Sequence, residues 1–276
     1  PVRGRQVPAL GQRGRYPDSG AALAALVAEL GNVVEAVRAA AEFEDGESVA
    51  QLAEASWAAQ LKAGRHDETL PLLRIATDVA RDRFPGTRMA GRLYAQFALA
   101  LIELREFEEA EEALRRAAEA DRNAGHLRGQ ATAVESLGLL RLRQWRWREA
   151  LECFEEAGGL WDRVGPADDG FADLIRARAL LHRHRARALR GLDDIAAALA
   201  QSHTALASFR ALGDTYNAAR TLTDLAETHL RAGAPRTALP LIDEALAALA
   251  AEQAAYHIAH LRALRAQCTA GLTPEG

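Results

Sequence analysis

The sequence predicts an all-α protein built as a right-handed α-solenoid, in which antiparallel helix pairs follow one another with a period of about 40 residues. Alanine, the strongest helix former, supplies 62 of the 276 residues, whereas proline, the strongest helix breaker, supplies 9. Aromatic residues, which strands favour, make up only 5%. In addition, a pattern of small and large residues recurs along the chain at a fixed interval, which is typical of helical repeats.

The repeat is clearest in residues 94–117, 134–157 and 222–245. In each segment a pair of one large and one small residue, such as Leu137 and Gly138, precedes a small residue such as Ala150 by 13 and 12 positions. A large apolar residue (Phe154) and a second alanine (Ala157) follow. Small side chains let two helices approach closely, and the large neighbours fill the space between them. The predicted packing positions are Ala98, Ala110, Ala117, Gly138, Ala150, Ala157, Ala198, Ala226, Ala238 and Ala245.

Two weaker copies, residues 51–76 and 171–213, complete an array of about five helix pairs. Leu70 and Ala198 take the place of Ala110 in them, and the spacing between equivalent positions is 40, 40, 48 and 40 residues. Eight extra residues amount to about two helical turns. We therefore predict that both helices of the fourth pair are one turn longer than their neighbours.

Composition along the chain predicts four regions. Residues 1–20 are polar and arginine-rich and are predicted to be disordered or extended, and residues 21–46 to form an N-terminal helix or a linker to an upstream domain. Residues 47–253 form the solenoid, which opens with a capping box at Ser48 and Gln51, and residues 254–276 form a terminal capping helix and tail. The array is expected to stay open, with its first and last helices apart.

Charge and cysteine content exclude several classes of function. The net charge of −4 gives no general attraction to nucleic acid or to anionic lipid. Two cysteines do not make a disulfide framework, and the longest uncharged apolar stretch, residues 21–28, is too short to span a bilayer. No signal peptide is recognisable, so we expect a cytoplasmic protein. The chain starts at Pro1 and its only methionine is Met89, so we expect a fragment or a processed product.

An arginine-rich helix is the most unusual stretch of the sequence. Arg183, Arg187 and Arg190 fall at positions i, i+4 and i+7, on one helical face. If the first helix of each pair lines a concave groove, the repeat adds further arginines to the same groove. The predicted groove residues are Arg92, Arg143, Arg183, Arg187, Arg190, Arg220 and Arg231. Three interpretations stay open: a solvated face whose arginines pair with glutamates of neighbouring helices, a groove for an anionic ligand, or contact with nucleic acid.

Other candidate residues carry little chemistry. Trp145 lies at the turn of the third repeat and is a candidate exposed contact for a partner. His257 and His260 lie at i, i+3, but no third ligand completes a metal site. No nucleophile with a neighbouring base and no carboxylate pair in a cleft is recognisable. The sequence therefore predicts no catalytic residue, no metal and no cofactor.

The spacing of Leu137-Gly138, Ala150, Phe154 and Ala157 resembles that of tetratricopeptide repeats (TPRs), and the likeness extends over residues 48–271. Repeats longer than the usual length are similar to those at the C-terminal end of STAND-class signalling NTPases and of bacterial transcription regulators of the SARP type. Residues 26–57 resemble the segment that precedes the repeats in those regulators. The resemblance implies a sensor arm, and the chain has no phosphate loop of its own, since its only lysine is Lys62 in Leu-Lys-Ala-Gly.

Two functional hypotheses follow. The first is a non-catalytic module that binds a peptide, a partner helix or an anionic ligand in its concave groove, as part of a bacterial signalling or transcription regulator. The second is a self-association scaffold. Neither involves direct contact with nucleic acid or with a membrane.

Overall fold

The computed structural model describes residues 16–251 and 255–270, and these residues contain fourteen α-helices and no strand. The predicted all-α fold is therefore confirmed. Most of the predicted N-terminal segment 1–20 and the tail after residue 270 lie outside the described residues. The helices are α1 (Ser19–Ala28), α2 (Leu30–Glu42), α3 (Gly46–Ala55), α4 (Trp57–Ala63), α5 (His66–Arg83), α6 (Arg88–Leu104), α7 (Phe107–Asn123), α8 (Leu127–Arg143), α9 (Trp147–Asp162), α10 (Leu174–Gly191), α11 (Ile195–Ala211), α12 (Thr215–Arg231), α13 (Pro235–Ala251) and α14 (Ala255–Ala270).

Helices α6 to α13 form four antiparallel pairs, and α5 pairs with the broken helix α3–α4 before them. Each pair packs on the next one, and α14 covers the last pair. The first helices of successive pairs (α3, α6, α8, α10, α12) also contact each other directly, whereas the second helices are held mainly by the first helices on either side. The first helices therefore lie on the inside of a curved array, which is the predicted solenoid.

The segment before the solenoid contains the two helices α1 and α2. Helix α2 packs against α3 and α5, and buries Leu30 and Val37 in the core. It therefore covers the open face of the first pair. No single described helix is long and apolar enough to cross a membrane, although α1 and α2 reach that length and composition together, with a 60° bend between them.

Small side chains set the distance between the paired helices. All ten predicted packing positions are buried. Gly138 in α8 is one close approach within a pair, where an added Cβ would lie 2.4 Å from Cε1 of Phe154 in α9. Phe154 is itself fully buried, so its ring has no space into which it can move.

The turn inside each pair also repeats. One residue there adopts a left-handed conformation, and it precedes the second helix by the same interval in successive pairs. These residues are Gly64, Arg105, Trp145, Asp193 and Gly233. Three of them are not glycine and accept a conformation that most L-residues avoid. Trp145 is one of these, with a φ of 59°, and its side chain is 69% exposed on this edge.

The predicted lengthening of the fourth pair is wrong. Helices α10 and α11 have 18 and 17 residues, close to the 17 and 16 of α8 and α9. The extra residues instead lie in the loop between α9 and α10, which includes a 3-10 turn at Phe171–Asp173. A longer loop costs little chain entropy, whereas longer helices would have no partner surface on the neighbouring pairs. Asp169 holds the loop to the array, since it lies 3.3 Å from Nη1 of Arg88.

The expectation of an open array is also wrong. Helix α4 of the first pair contacts α14, and the Tyr216 hydroxyl of α12 donates a hydrogen bond of 2.9 Å to the carbonyl oxygen of Leu61 in α4. Nε2 of His257 in α14 lies 2.8 Å from the same hydroxyl oxygen, and Nζ of Lys62 lies 5.2 Å from the centre of the tyrosine ring. The repeat spacing predicts which helices are neighbours, but it carries no information on how strongly the array curves.

The contact at Gly138 gives a test of the packing. Replacing Gly138 with alanine should destabilise the protein by about 1–3 kcal/mol, because the new methyl group overlaps the ring of Phe154. The free energy of unfolding, measured by urea titration, checks this.

Gly159→Ala in α9 is the matched control, since no atom lies within 4 Å of its added Cβ. Helix propensity alone then applies, and this variant should be more stable by about 0.5–1 kcal/mol. Equal effects of the two substitutions would contradict the packing described above.

Candidate binding groove on the inner face

A groove with a volume of about 440 Å³ lies between the first helices α10 and α12 and the terminal helix α14. This volume is in the range of pockets that hold small ligands or a few side chains. Its lining is mixed, with apolar side chains between charged ones. The lining residues are Arg190, Glu227, Leu230, Arg231, His260, Ala263, Leu264 and Gln267.

Glu227 is the acidic residue of this lining. Its Oε2 lies 2.5 Å from Nη2 of Arg190, and its Oε1 lies 2.7 Å from Nε2 of His260. Burial opposes the charge, but the hydrogen bond from His260 and the charge of Arg190 outweigh burial and lower the pKa of Glu227 to about 2. The same hydrogen bond raises the pKa of His260. Because Arg190 and His260 both pair with Glu227, the remaining charged residue of the lining is Arg231, which is positive.

The inner arginine cluster, which we define as Arg183, Arg187 and Arg220 around Asp224, lies on α10 and α12. Nε of Arg183 is 2.6 Å from Oδ2 of Asp224, and Nε of Arg187 is 3.8 Å from Oδ1. The Arg220 guanidinium lies 5.5 Å from the centre of the Tyr216 ring. Arg183 and Arg187 thus share one carboxylate, and the charge of Arg220 acts on Arg183 beside them.

The remaining predicted groove arginines join successive repeats. Arg92 in α6 pairs with Glu54 in α3, and Arg143 in α8 pairs with Glu103 in α6. Nε of Arg231 lies 2.8 Å from Oδ1 of Asp193, in the turn before α11. These contacts agree with the interpretation of arginines paired to acids of neighbouring helices. Only Arg190 and Arg231 of the predicted set line the groove.

Sequence reasoning missed the acidic partners and assigned no partner to the histidines. Asp224 and Glu227 lie at i, i+3 on α12, opposite the arginine face of α10. That pattern of charge on successive first helices is the signal that would have found them. The histidine pair of α14 divides between two partners, His257 with Tyr216 and His260 with Glu227. The described residues hold no group of three or more potential metal ligands.

A buried acid–base pair links α8 to α10 beside the inner arginine cluster. Oε1 of Glu135 lies 3.0 Å from Nδ1 of His184, and both residues are buried. Burial raises the pKa of Glu135 to about 8. Burial and the charges of Arg183, Arg187 and Arg220 hold the pKa of His184 well below its usual value. At neutral pH the pair therefore holds one proton, on the carboxyl group of Glu135.

This pair predicts a pH-dependent stability. A histidine with a lowered folded pKa loses its contribution as the pH falls below about 6.5, and a glutamate with a raised folded pKa loses its contribution as the pH rises from about 4.5 to 8. Within this pair only the glutamate contributes above pH 6.5, so its ionisation should lower the free energy of unfolding by about 2 kcal/mol between pH 6.5 and 8. Urea titrations at several pH values measure it.

Glu135→Gln should remove most of this slope, since the amide does not titrate. His260→Gln is the control. The raised pKa of His260 also makes stability fall above pH 6.5, but its side chain is 56% exposed and its contribution is small. A slope that survives in Glu135→Gln and disappears in His260→Gln would contradict the assignment.

Comparisons with known proteins find similarity in structure only. Neither protein-family descriptions nor curated protein sequences give a match. Among solved structures, BtubC (BKLC) from P. vanneervenii is 19% identical with a TM-score of 0.57, over 84% of this chain and 92% of that one. The apo form of the quorum sensor NprR from B. thuringiensis is 16% identical with a TM-score of 0.56, over 83% of this chain and 63% of that one.

A STAND protein (a signal transduction ATPase with numerous domains) from Pyrococcus horikoshii carries a tetratricopeptide repeat sensor. It is 14% identical with a TM-score of 0.55, over 90% of this chain and 38% of that one. Identities this low establish the fold alone. The repeat spacing, the stacked helix pairs and these matches together show that the described part of the chain has the fold of a tetratricopeptide-repeat solenoid.

Proposed function

We propose that the chain is a non-catalytic binding module whose groove between α10, α12 and α14 takes a short peptide segment of a partner protein. The observation that carries the proposal is the groove itself, which combines a cavity of about 440 Å³ with apolar side chains and unequal charge. Leu230 and Leu264 offer apolar contacts, and Arg190 and Arg231 offer guanidinium groups.

The charge of the groove favours an acidic side chain in the peptide. Glu227 is neutralised by Arg190 and His260, so an incoming carboxylate meets no free negative charge on the lining. Arg231 is 49% exposed and its partner Asp193 is 72% exposed, so water screens the attraction between them. The Arg231 guanidinium can therefore leave Asp193 for another carboxylate at little cost in free energy. An arginine fork binds a carboxylate through two parallel hydrogen bonds.

The wider role that we propose is that of a sensor arm in a bacterial signalling or transcription regulator. Two similar folds support it: NprR is a quorum sensor, and the repeats of the STAND protein are a sensor. Binding where α14 packs on the array would then change the position of this terminal helix relative to α12. The change in position would be transmitted to the domains of a regulator that adjoin the module.

A phage-displayed library of random dodecapeptides, panned on the whole chain, tests the proposal. We expect enriched peptides to carry an acidic residue beside an apolar one. Ala263→Arg places a long side chain in the groove from an exposed position of α14, and it should weaken the selected peptide by about tenfold or more, which corresponds to about 1.4 kcal/mol. Fluorescence polarisation measures the affinity.

Ala266→Arg is the matched control, because Ala266 is exposed on the same helix and does not line the groove. It should bind the peptide like the unmodified chain. Equal binding by both variants would reject the groove as the site. A library that yields no binder, or size-exclusion chromatography that shows self-association blocked by Ala263→Arg, would favour the self-association scaffold instead.

A further inference from the structure

We propose that the inner arginine cluster (Arg183, Arg187 and Arg220 around Asp224) binds a small, doubly charged oxyanion of the phosphate or dicarboxylate class. This site is separate from the peptide groove. The proposal does not depend on whether the groove binds a peptide.

The charge balance of the cluster carries the proposal. Arg183 and Arg187 share the carboxylate of Asp224, and Arg220 adds a third guanidinium whose charge acts on Arg183, so three cations stand against one anion. Arg183 is 5% exposed and Asp224 is also 5% exposed, so water does not screen this imbalance. Burial and the charge of Arg220 lower the pKa of Arg183 to about 10, because together they outweigh the attraction of Asp224, which raises it. A protein that keeps like charges together in its interior gains stability when an anion joins them.

The hydrogen bonds of the cluster are also incomplete. Nη1 of Arg183 is buried and has no hydrogen-bond acceptor among the described residues. Arg220 donates one weak hydrogen bond, from its Nη1 to Oδ1 of Asn217 at 3.5 Å. Buried donors without a partner are rare, because an unsatisfied donor destabilises the fold, and a charged one does so more strongly. An oxyanion would accept hydrogen bonds from both side chains.

Neighbouring groups do not supply the missing negative charge. From α14, His257 is neutral, since burial and the charges of Arg220 and Arg183 lower its pKa to about 4. On α10, His184 is also neutral and its partner Glu135 is protonated. On α6 and α12, the two remaining acids already pair with other cations, Glu103 with Arg143 and Glu227 with Arg190 and His260.

The position of the cluster favours a small ligand over a protein segment. The Tyr216 contact with Leu61 closes the array beside it, and Arg183 and Asp224 are both buried. Arg187 and Arg220 are only partly buried and open the cluster to solvent. A free anion of a few atoms can enter on this side, whereas a peptide backbone would have to separate α4 from α12.

Inorganic phosphate is the probe for a first test. The whole chain is titrated with phosphate at constant ionic strength, with chloride as the balancing salt, and binding is followed by isothermal titration calorimetry and by the melting temperature. We expect saturable binding and a rise in melting temperature. Malonate replaces phosphate in a second titration and distinguishes the two anion classes.

Arg220→Gln should weaken phosphate binding about tenfold or more, because it removes a charge-assisted hydrogen bond to the anion. Without phosphate it should melt at the same temperature as the unmodified chain or higher, since repulsion with Arg183 is relieved. Arg187→Gln provides a second variant if Arg220→Gln does not fold. Arg210→Gln, which removes an exposed arginine paired with Glu244, is the matched control and should bind phosphate normally.

Two results would overturn the proposal: phosphate and malonate acting no differently from chloride, or full phosphate affinity in both Arg220→Gln and Arg187→Gln. The peptide-groove variant Ala263→Arg separates this test from the previous one. It should lose peptide binding and keep phosphate binding, so either site can fail alone.

Discussion

Close contact between helices at small side chains is the constraint on which the rest of the structure depends. Alanines such as Ala110, Ala150 and Ala198 have no exposed surface, and Gly138 leaves room only for the ring of Phe154. This close packing fixes the distance within each pair and the direction of the face that the next pair must cover. The position of every charged residue on the inner face follows from it, because that face is built only when the pairs stack.

Stacking turns a sequence rich in arginine into an ordered set of ion pairs. Arg92 with Glu54 and Arg143 with Glu103 each connect one first helix to the previous one. Exposed pairs of this kind contribute little to stability, but they decide which arginines can still bind a ligand. The arginines that can bind a ligand lie where α10 faces α12, around Asp224, and beside α14. The groove and the inner arginine cluster are therefore two consequences of the same arrangement of helices.

Closure of the array affects the solvent exposure of the groove and of the inner arginine cluster. The hydrogen bond from Tyr216 to Leu61 joins residues that are 155 positions apart. It brings Lys62 and His257 to the side chain of Tyr216, whose ring also lies 5.5 Å from the Arg220 guanidinium. The loop before α10, which carries the extra residues, contacts the array near the starts of α6 and α8, where Asp169 pairs with Arg88 and Asp173 with Arg128.

The sequence by itself determined the helices, their pairing and the buried small residues, because these depend on local propensity and on a spacing that any stacked pair must keep. It also placed Arg183, Arg187 and Arg190 on one helical face. Only the tertiary structure decided their partners, the site of the extra eight residues and the contact between α4 and α14. The partners and the contact between α4 and α14 depend on the curvature of the whole array, which accumulates from small rotations between pairs that no single repeat encodes. The extra residues lie in a loop because longer helices would have no partner surface on the neighbouring pairs.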